Sequence, residues 1–122
     1  MVATKKMEIY NAPDYLIVHL KRFSHSRGMW GGRKVNDLIT FPLDNLDMST
    51  YILKNSTENK KIVYDLYAVS NHFGSLDGGH YTAFCKNPVL EKWYNFDDND
   101  VGSLSPSEVN TKAAYVLFYK KR

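Results

Sequence analysis

The sequence predicts an α+β domain dominated by antiparallel strands, with one short helix. Three observations carry that prediction. Nine Tyr, six Phe and two Trp make aromatics 14% of the 122 residues, a composition that suits pleated, half-buried surfaces better than helices. Apolar residues recur at alternate positions in several stretches, the period of a strand with one face in the core. Clusters of Gly, Pro, Asn and Asp separate those stretches at short intervals, as turns between antiparallel neighbours do.

Each element follows in chain order. A short strand is expected over 7–10, before Asn11 and Pro13 interrupt the chain. Residues 14–23 (DYLIVHLKRF) then set Leu16, Val18 and Leu20 on one face and Ile17, His19 and Lys21 on the other. Residues 24–34 (SHSRGMWGGRK) are rich in Gly, Ser and Arg and read as a mobile loop. A strand is expected over 35–41, ended by Pro42, and one helical turn within 43–52, capped by Asp47 or Ser49. The polar segment 54–61 reads as a surface hairpin or connection.

Residues 62–73 (IVYDLYAVSNHF) form a long strand, with Val63, Asp65, Tyr67 and Val69 opposite in facing to Tyr64, Leu66 and Ala68. The glycine-marked loop 74–79 leads into a strand over 80–86. After Asn87-Pro88 another strand spans 92–98, with a tight turn at 99–101. Ser105, Pro106 and Glu108 have the spacing of an N-cap, a first helical position and a capping box. That helix must be short, because 113–121 (AAYVLFYKK) is strand-like again.

Composition also excludes function classes. No apolar run approaches the ~20 residues of a membrane span, and the N-terminus has no secretory hydrophobic region. One cysteine forms neither an internal disulfide nor a cysteine-based zinc site, which fits a reducing compartment, the cytoplasm or nucleus. A net charge of +3 does not demand an anionic partner. A single-stranded nucleic-acid binder would line one face with aromatics and Lys. Here the aromatics alternate with core positions and the Lys residues scatter, so no nucleic acid is expected.

The chemistry centres on GGHYTAFCKN, residues 78–87. His80 and Cys85 look like a base and its nucleophile, but strand geometry separates them. An odd spacing puts them on opposite faces, roughly 16 Å apart along the axis at ~3.3 Å per residue, whereas such a pair needs ~3 Å. Cys85 is therefore expected to be a small core residue. A carboxylate is better placed. If 80–86 and 92–98 pair as a hairpin with residue 86 or so opposite 92, His80 lies beside residue 97 or 98. A carboxylate on one ring nitrogen fixes the tautomer and leaves the other nitrogen free as a base. His72, Asp77 and His80 carry ligand-type side chains around one glycine loop, but such trios commonly hold no ion; no metal is expected. His19 reads as structural and His25 as solvent-exposed.

The segments YLIVHLKRF, FPL, YDLYAVSNHFGSLDGGHYTAF, KWYNFDD and AAYVLFYKKR resemble, in order, the C-terminal half of the ubiquitin-specific protease catalytic domain. These are papain-like cysteine deubiquitinases. ATKK, AVSNH and TKAAYVLFY resemble most the branch with tandem ubiquitin-like domains. The resemblance implies a palm-type sheet over 1–122, with His80 as general base and Asp97 as the residue that orients it. It implies for Asp98 a role in polarising the site or assisting the oxyanion, and for His72 a place beside the cleft that takes the ubiquitin tail. Gly78, Gly79 and Tyr81 would shape a slot that only glycine fits, with 24–34 and 71–79 flanking it.

Two parts of the family pattern have no match here. Neither the cysteine box of the thumb, with its nucleophile, nor the paired cysteines of the zinc ribbon occurs in these 122 residues. The resemblance thus implies a chain inactive alone, completed by the missing N-terminal half, acting on ubiquitin or ubiquitinated proteins and needing no organic cofactor. An uncovered half-core predicts self-association. The competing reading is a non-catalytic ubiquitin-binding or scaffolding fragment, which need not keep His80 and Asp97 in contact.

Overall fold

The computed structural model describes residues 2–24, 33–53, 61–75 and 77–122. Among them nine strands run in chain order: β1 (Tyr15–His19), β2 (Phe23–Ser24), β3 (Arg33–Lys34), β4 (Leu46–Asp47), β5 (Val63–Gly74), β6 (Gly79–Asn87), β7 (Lys92–Asp97), β8 (Asp100–Leu104) and β9 (Ala114–Lys121). Seven make one sheet in the order β1-β9-β5-β6-β7-β8, with β4 paired to the start of β5; β2 and β3 pair separately. All these pairings are antiparallel. The predominantly antiparallel α+β prediction holds, although the helical part is confined to 3-10 turns at Ser49–Tyr51 and Pro106–Glu108. No described helix is long and apolar enough to cross a membrane.

One face of the sheet carries the core. Tyr64, Leu66, Val69, Phe84, Trp93, Leu117 and Tyr119 are buried on it, and Phe41 and Val109 join them from outside the sheet. Each large side chain withdrawn from water contributes about 1.5–3 kcal/mol. The two buried tyrosines keep their hydroxyls bonded, Tyr64 to the Pro13 carbonyl at 2.6 Å and Tyr119 to the Pro42 carbonyl at 2.7 Å. Burial pushes the Tyr119 phenol up to about 12. In β1 the expected facing is observed: Leu16 and Val18 pack against the core, while Tyr15, Ile17 and His19 are exposed.

Several expectations are corrected. The strand over 7–10 reduces to a single parallel bridge, Ile9 with Ile52, because its partner is only just leaving the 3-10 turn. Residues 35–41 form no strand. The Arg22 guanidinium takes the Val35 and Asp37 carbonyls, at 3.0 and 2.8 Å, that a ladder would have used. In β5 an irregularity between Leu66 and Ala68 shifts the alternation, so Val69 joins Tyr64 and Leu66 in the core instead of opposing them. The turn expected at 99–101 sits one step earlier, at Asp98 and Asn99, and β8 follows it directly. Its exposed sequence, DVGSL, has too little β-branched or aromatic content to announce a strand. At the C-terminal turn the Ser105 hydroxyl bonds the Glu108 carboxylate at 2.9 Å, yet it caps no backbone N–H and the turn ends after three residues. The loop expected over 24–34 lies largely, and the hairpin over 54–61 almost wholly, outside the described residues.

Candidate active site

β6 starts and β7 ends at the same end of the sheet, and that is where the titratable residues gather. The β6–β7 ladder pairs Asn87 with Lys92 and Ala83 with Phe96. Continuing that register places Asp97 opposite Thr82, two residues from His80 and on its face. The contact is therefore diagonal, a reach long side chains span. His80 Nε2 lies 2.6 Å from Asp97 Oδ1. The ladder is one residue further along than 86 opposite 92, and that single step matters. With 86 opposite 92, Asp98 would have stood directly across from His80; with 87 opposite 92, Asp97 shares its face and reaches it diagonally.

Asp98 occupies the turn itself, at φ 51°. Asp tolerates this left-handed conformation better than most residues. One ligating atom from each of His80, Asp97 and Asp98 lies within 4.8 Å of the others. These three are the one group of this kind among the described residues; His72, Asp77 and His80 do not form another. Asp97 is already committed to His80, so the trio reads first as a dyad with a second carboxylate beside it. His80 titrates above the ordinary histidine range, chiefly because its ring bonds the Asp97 carboxylate, with the charges of Asp97 and Asp98 adding to it against a loss from desolvation. Nε2 is occupied, and among the described residues Nδ1 has no hydrogen-bond partner, which leaves it for chemistry.

Cys85 stands apart from this dyad. It pairs with Ala68 on one side and Tyr94 on the other, half-buried on the face opposite to His80. Burial also pushes its thiol pKa up, away from the reactive thiolate.

The remaining predicted residues collect on the other face. His72 pairs with Tyr81 across β5 and β6, their rings 4.8 Å apart, while His80 pairs with Phe73 and so points the opposite way. The His72 ring is buried and also meets Phe23 at 5.5 Å and Tyr115 at 5.6 Å. Its Nδ1 accepts from the Lys34 ammonium at 3.2 Å. Burial, then the Lys34 charge, holds His72 below the usual histidine range. Gly79 lies directly beneath this ring. A Cβ there would overlap His72 Nε2 and come within 2.7 Å of the Phe73 carbonyl. Gly78 differs, since a Cβ there would meet nothing within 4 Å.

Sequence reasoning passed over Phe23, Lys34, Tyr115 and Arg22. The first three come from elements far apart in the chain and have no local motif. Arg22 did carry a signal, because it continues the inward parity of Leu16, Val18 and Leu20. It is 2% exposed, and its Nε donates to the Ala114 carbonyl at 2.6 Å.

Comparison with known proteins finds similarity along nearly the whole chain. The family model described as ubiquitin carboxyl-terminal hydrolase matches residues 2–119. Ubiquitin carboxyl-terminal hydrolase 15 of Homo sapiens is 48% identical over 120 residues, covering 98% of this chain and 12% of that protein. A putative ubiquitin carboxyl-terminal hydrolase 11 of Arabidopsis thaliana is 47% identical over 119 residues, covering 98% and 13%. The chain thus spans about an eighth of the length of these relatives. Among solved structures, the Ubp8-Sgf11-Sgf73-Sus1 SAGA DUB module superposes with a TM-score of 0.82 at 37% identity, over 94% of this chain and 25% of that one. A SAGA DUB module bound to monoubiquitin superposes with a TM-score of 0.82 at 39% identity, with the same coverage.

Proposed function

The chain belongs to the ubiquitin carboxyl-terminal hydrolase family, and from that premise we propose that it supplies the general-base portion of a thiol-dependent deubiquitinase. The observation that carries the proposal is the 2.6 Å contact between His80 Nε2 and Asp97, with Nδ1 left free. A carboxylate on Nε2 holds the proton there and stabilises the imidazolium once the ring takes a second proton. Nδ1 is then the basic nitrogen that removes a thiol proton and later returns a proton to the leaving lysine amine.

The nucleophile comes from polypeptide outside these 122 residues. Cys85 is the sole cysteine, and strand parity turns it away from His80. Without a thiolate no acyl-enzyme forms, so the 122-residue chain alone does not hydrolyse ubiquitin conjugates. The palm role assigned to 1–122, with thumb and ribbon elsewhere, follows from the same point. Exposed Phe73, the cross-strand partner of His80, is apolar surface that an upstream half would cover.

The substrate is the carbonyl of ubiquitin's last glycine, joined to an amine. The monoubiquitin complex of a DUB module with this fold supports that choice. Asp98, beside the dyad but in the turn, adds negative charge near His80 and polarises the site. Gly78 and Gly79 bound the tail's path, where bare backbone at Gly78 leaves room for a terminal Gly-Gly, with the buried His72 ring behind Gly79 and exposed Tyr81 beside it. The test is hydrolysis of a ubiquitin C-terminal fluorogenic amide by the chain alone and with a separately made upstream half. Activity in the mixture only, lost with His80→Ala, is the expected result. Activity from the chain alone overturns the exclusion of Cys85, and silence in both favours a ubiquitin-binding fragment.

A further inference from the structure

Behind the dyad, on the opposite face of β6, lies a built arrangement that the proposed chemistry does not itself use. The Lys34 ammonium donates to His72 Nδ1 and to the His72 carbonyl, each at 3.2 Å. An ammonium has no lone pair, so Nδ1 must be the acceptor, and the neutral ring carries its proton on Nε2. Among the described residues no carboxylate ion-pairs with Lys34. The ring is 3% exposed, held edge-on by Phe23 from β2 and Tyr81 from β6 and tilted against Tyr115 from β9. Its Nε2 and Cε1 fill the space where a side chain at position 79 would stand. Gly79 is the residue directly before His80.

We infer that Lys34 and His72 are a positioning pair for the general base: Lys34 fixes the tautomer and orientation of the His72 ring, and the ring sets the Gly79 backbone from which His80 projects toward Asp97. Among the described residues, the charged groups around His72 are Lys34 from β3 and, one step back, the buried Arg22, whose charge acts on Lys34. Burial, and after it the Lys34 charge, lowers the His72 pKa and so favours the neutral ring. A neutral ring in one tautomer is a rigid wedge. A protonated or tautomerically mixed ring would lose the Lys34 bond and leave Gly79 free to shift. The activity arm of the test rests on the deubiquitinase reading; the spectroscopic arm does not.

The experiment records long-range imidazole nitrogen–proton correlations on the labelled 122-residue chain, as wild type, Lys34→Met and Lys34→Arg. In the wild type His72 is expected as the Nε2–H tautomer and still neutral at pH ~6.5, where an ordinary histidine is half protonated. A His72 found as Nδ1–H, or protonated at that pH, overturns the inference without any variant. In Lys34→Met, His72 becomes mixed in tautomer and titrates higher, while His80 titrates lower because its contact with Asp97 loosens. The sign for His80 is decisive. Simple loss of a nearby cation would raise its pKa, so a rise, or no change, refutes positioning. Lys34→Arg keeps a charged donor and is expected to restore the wild-type pattern; failure of that rescue while the chain stays folded counts against the pair. If Lys34→Met does not fold, the wild-type and Lys34→Arg spectra decide.

With the upstream half added, Lys34→Met is expected to lower kcat by about tenfold to a hundredfold, the upper figure being the scale of a reacting group displaced by about 1 Å, with KM changed by less than about twofold. A change confined to KM would make Lys34 a substrate contact instead. A wild-type mixture that fails to hydrolyse the amide defeats the deubiquitinase reading and leaves the tautomer result standing.

Discussion

Replacing Asp97 with Asn keeps the side chain's shape and an oxygen able to accept from His80 Nε2–H, but removes the charge. In the native chain His80 titrates above the ordinary histidine range, first because its ring bonds Asp97 and then because the charges of Asp97 and Asp98 lie near. Asp97→Asn should bring that titration down toward ~6.5. The sign for stability follows. Because the folded-state value is the raised one, the contact stabilises the fold fully below the unfolded value and fades as pH climbs through the folded value. The His80 and Asp97 side chains are 48% and 46% exposed, so solvent screens the pair and the fold depends on it little.

Catalysis depends on it more. Loss of a hydrogen bond to a charged partner corresponds to about tenfold to a hundredfold in kcat/KM for the completed enzyme. Asp97→Ala should be worse than Asp97→Asn, since the ring then loses its orienter as well. A pH titration of the His80 ring resonances in the 122-residue chain checks the first half, and amide hydrolysis with the upstream half checks the second. An unshifted His80 titration in Asp97→Asn would refute the reasoning. So would an Asp98→Asn variant that moves it as far, because Asp98 is the least of the causes at work.

Other substitutions probe the scaffold. Gly79→Ala drives a Cβ into the His72 ring and should destabilise by about 1–3 kcal/mol, whereas Gly78→Ala meets open space and should change stability by less than about 0.5 kcal/mol in urea unfolding. Arg22→Met leaves the Ala114, Val35 and Asp37 carbonyls without their donor and should lower stability by about 2–5 kcal/mol, read as an earlier unfolding midpoint. Cys85→Ser should leave reconstituted hydrolysis intact. The native thiol, with its pKa raised by burial, should alkylate more slowly at neutral pH than a free cysteine.

Much of the sheet was legible because alternation survives wherever one face is buried. β1, β6, β7 and β9 stand close to where the pattern put them. The His80–carboxylate contact was legible for the same reason, since a short loop forces the two strands together. Which carboxylate it would be was not. That rests on whether 86 or 87 opposes Lys92, and the loop can absorb that one residue: Asn87 accepts from the Val89 and Leu90 amides and Glu91 adopts φ 55°. Residues 35–41 misled because their alternation looks strand-like while a guanidinium 13 to 15 residues upstream holds their carbonyls. Lys34 and Phe23 were hidden because a two-residue ladder has no periodicity to read.

The two faces of β6 explain why such a small chain keeps its register so strictly there. Odd positions 79 and 81 meet His72, while even positions 80 and 82 meet the dyad's face and Asn71. A one-residue slip of β6 would swap the faces, burying the base behind the sheet and pushing Tyr81 toward Asp97. The irregularities of β5 fall on its other side, in the pairing with β9, between Leu66 and Ala68 and between Ser70 and Asn71. Against β6 the pairing runs unbroken from Ala68 with Cys85 to Gly74 with Gly79. The bends needed to close the core are thus placed away from the ladder that aims His80. Gly79 is the residue at which both demands meet: its missing side chain admits the His72 ring on one face while its backbone carries the base on the other.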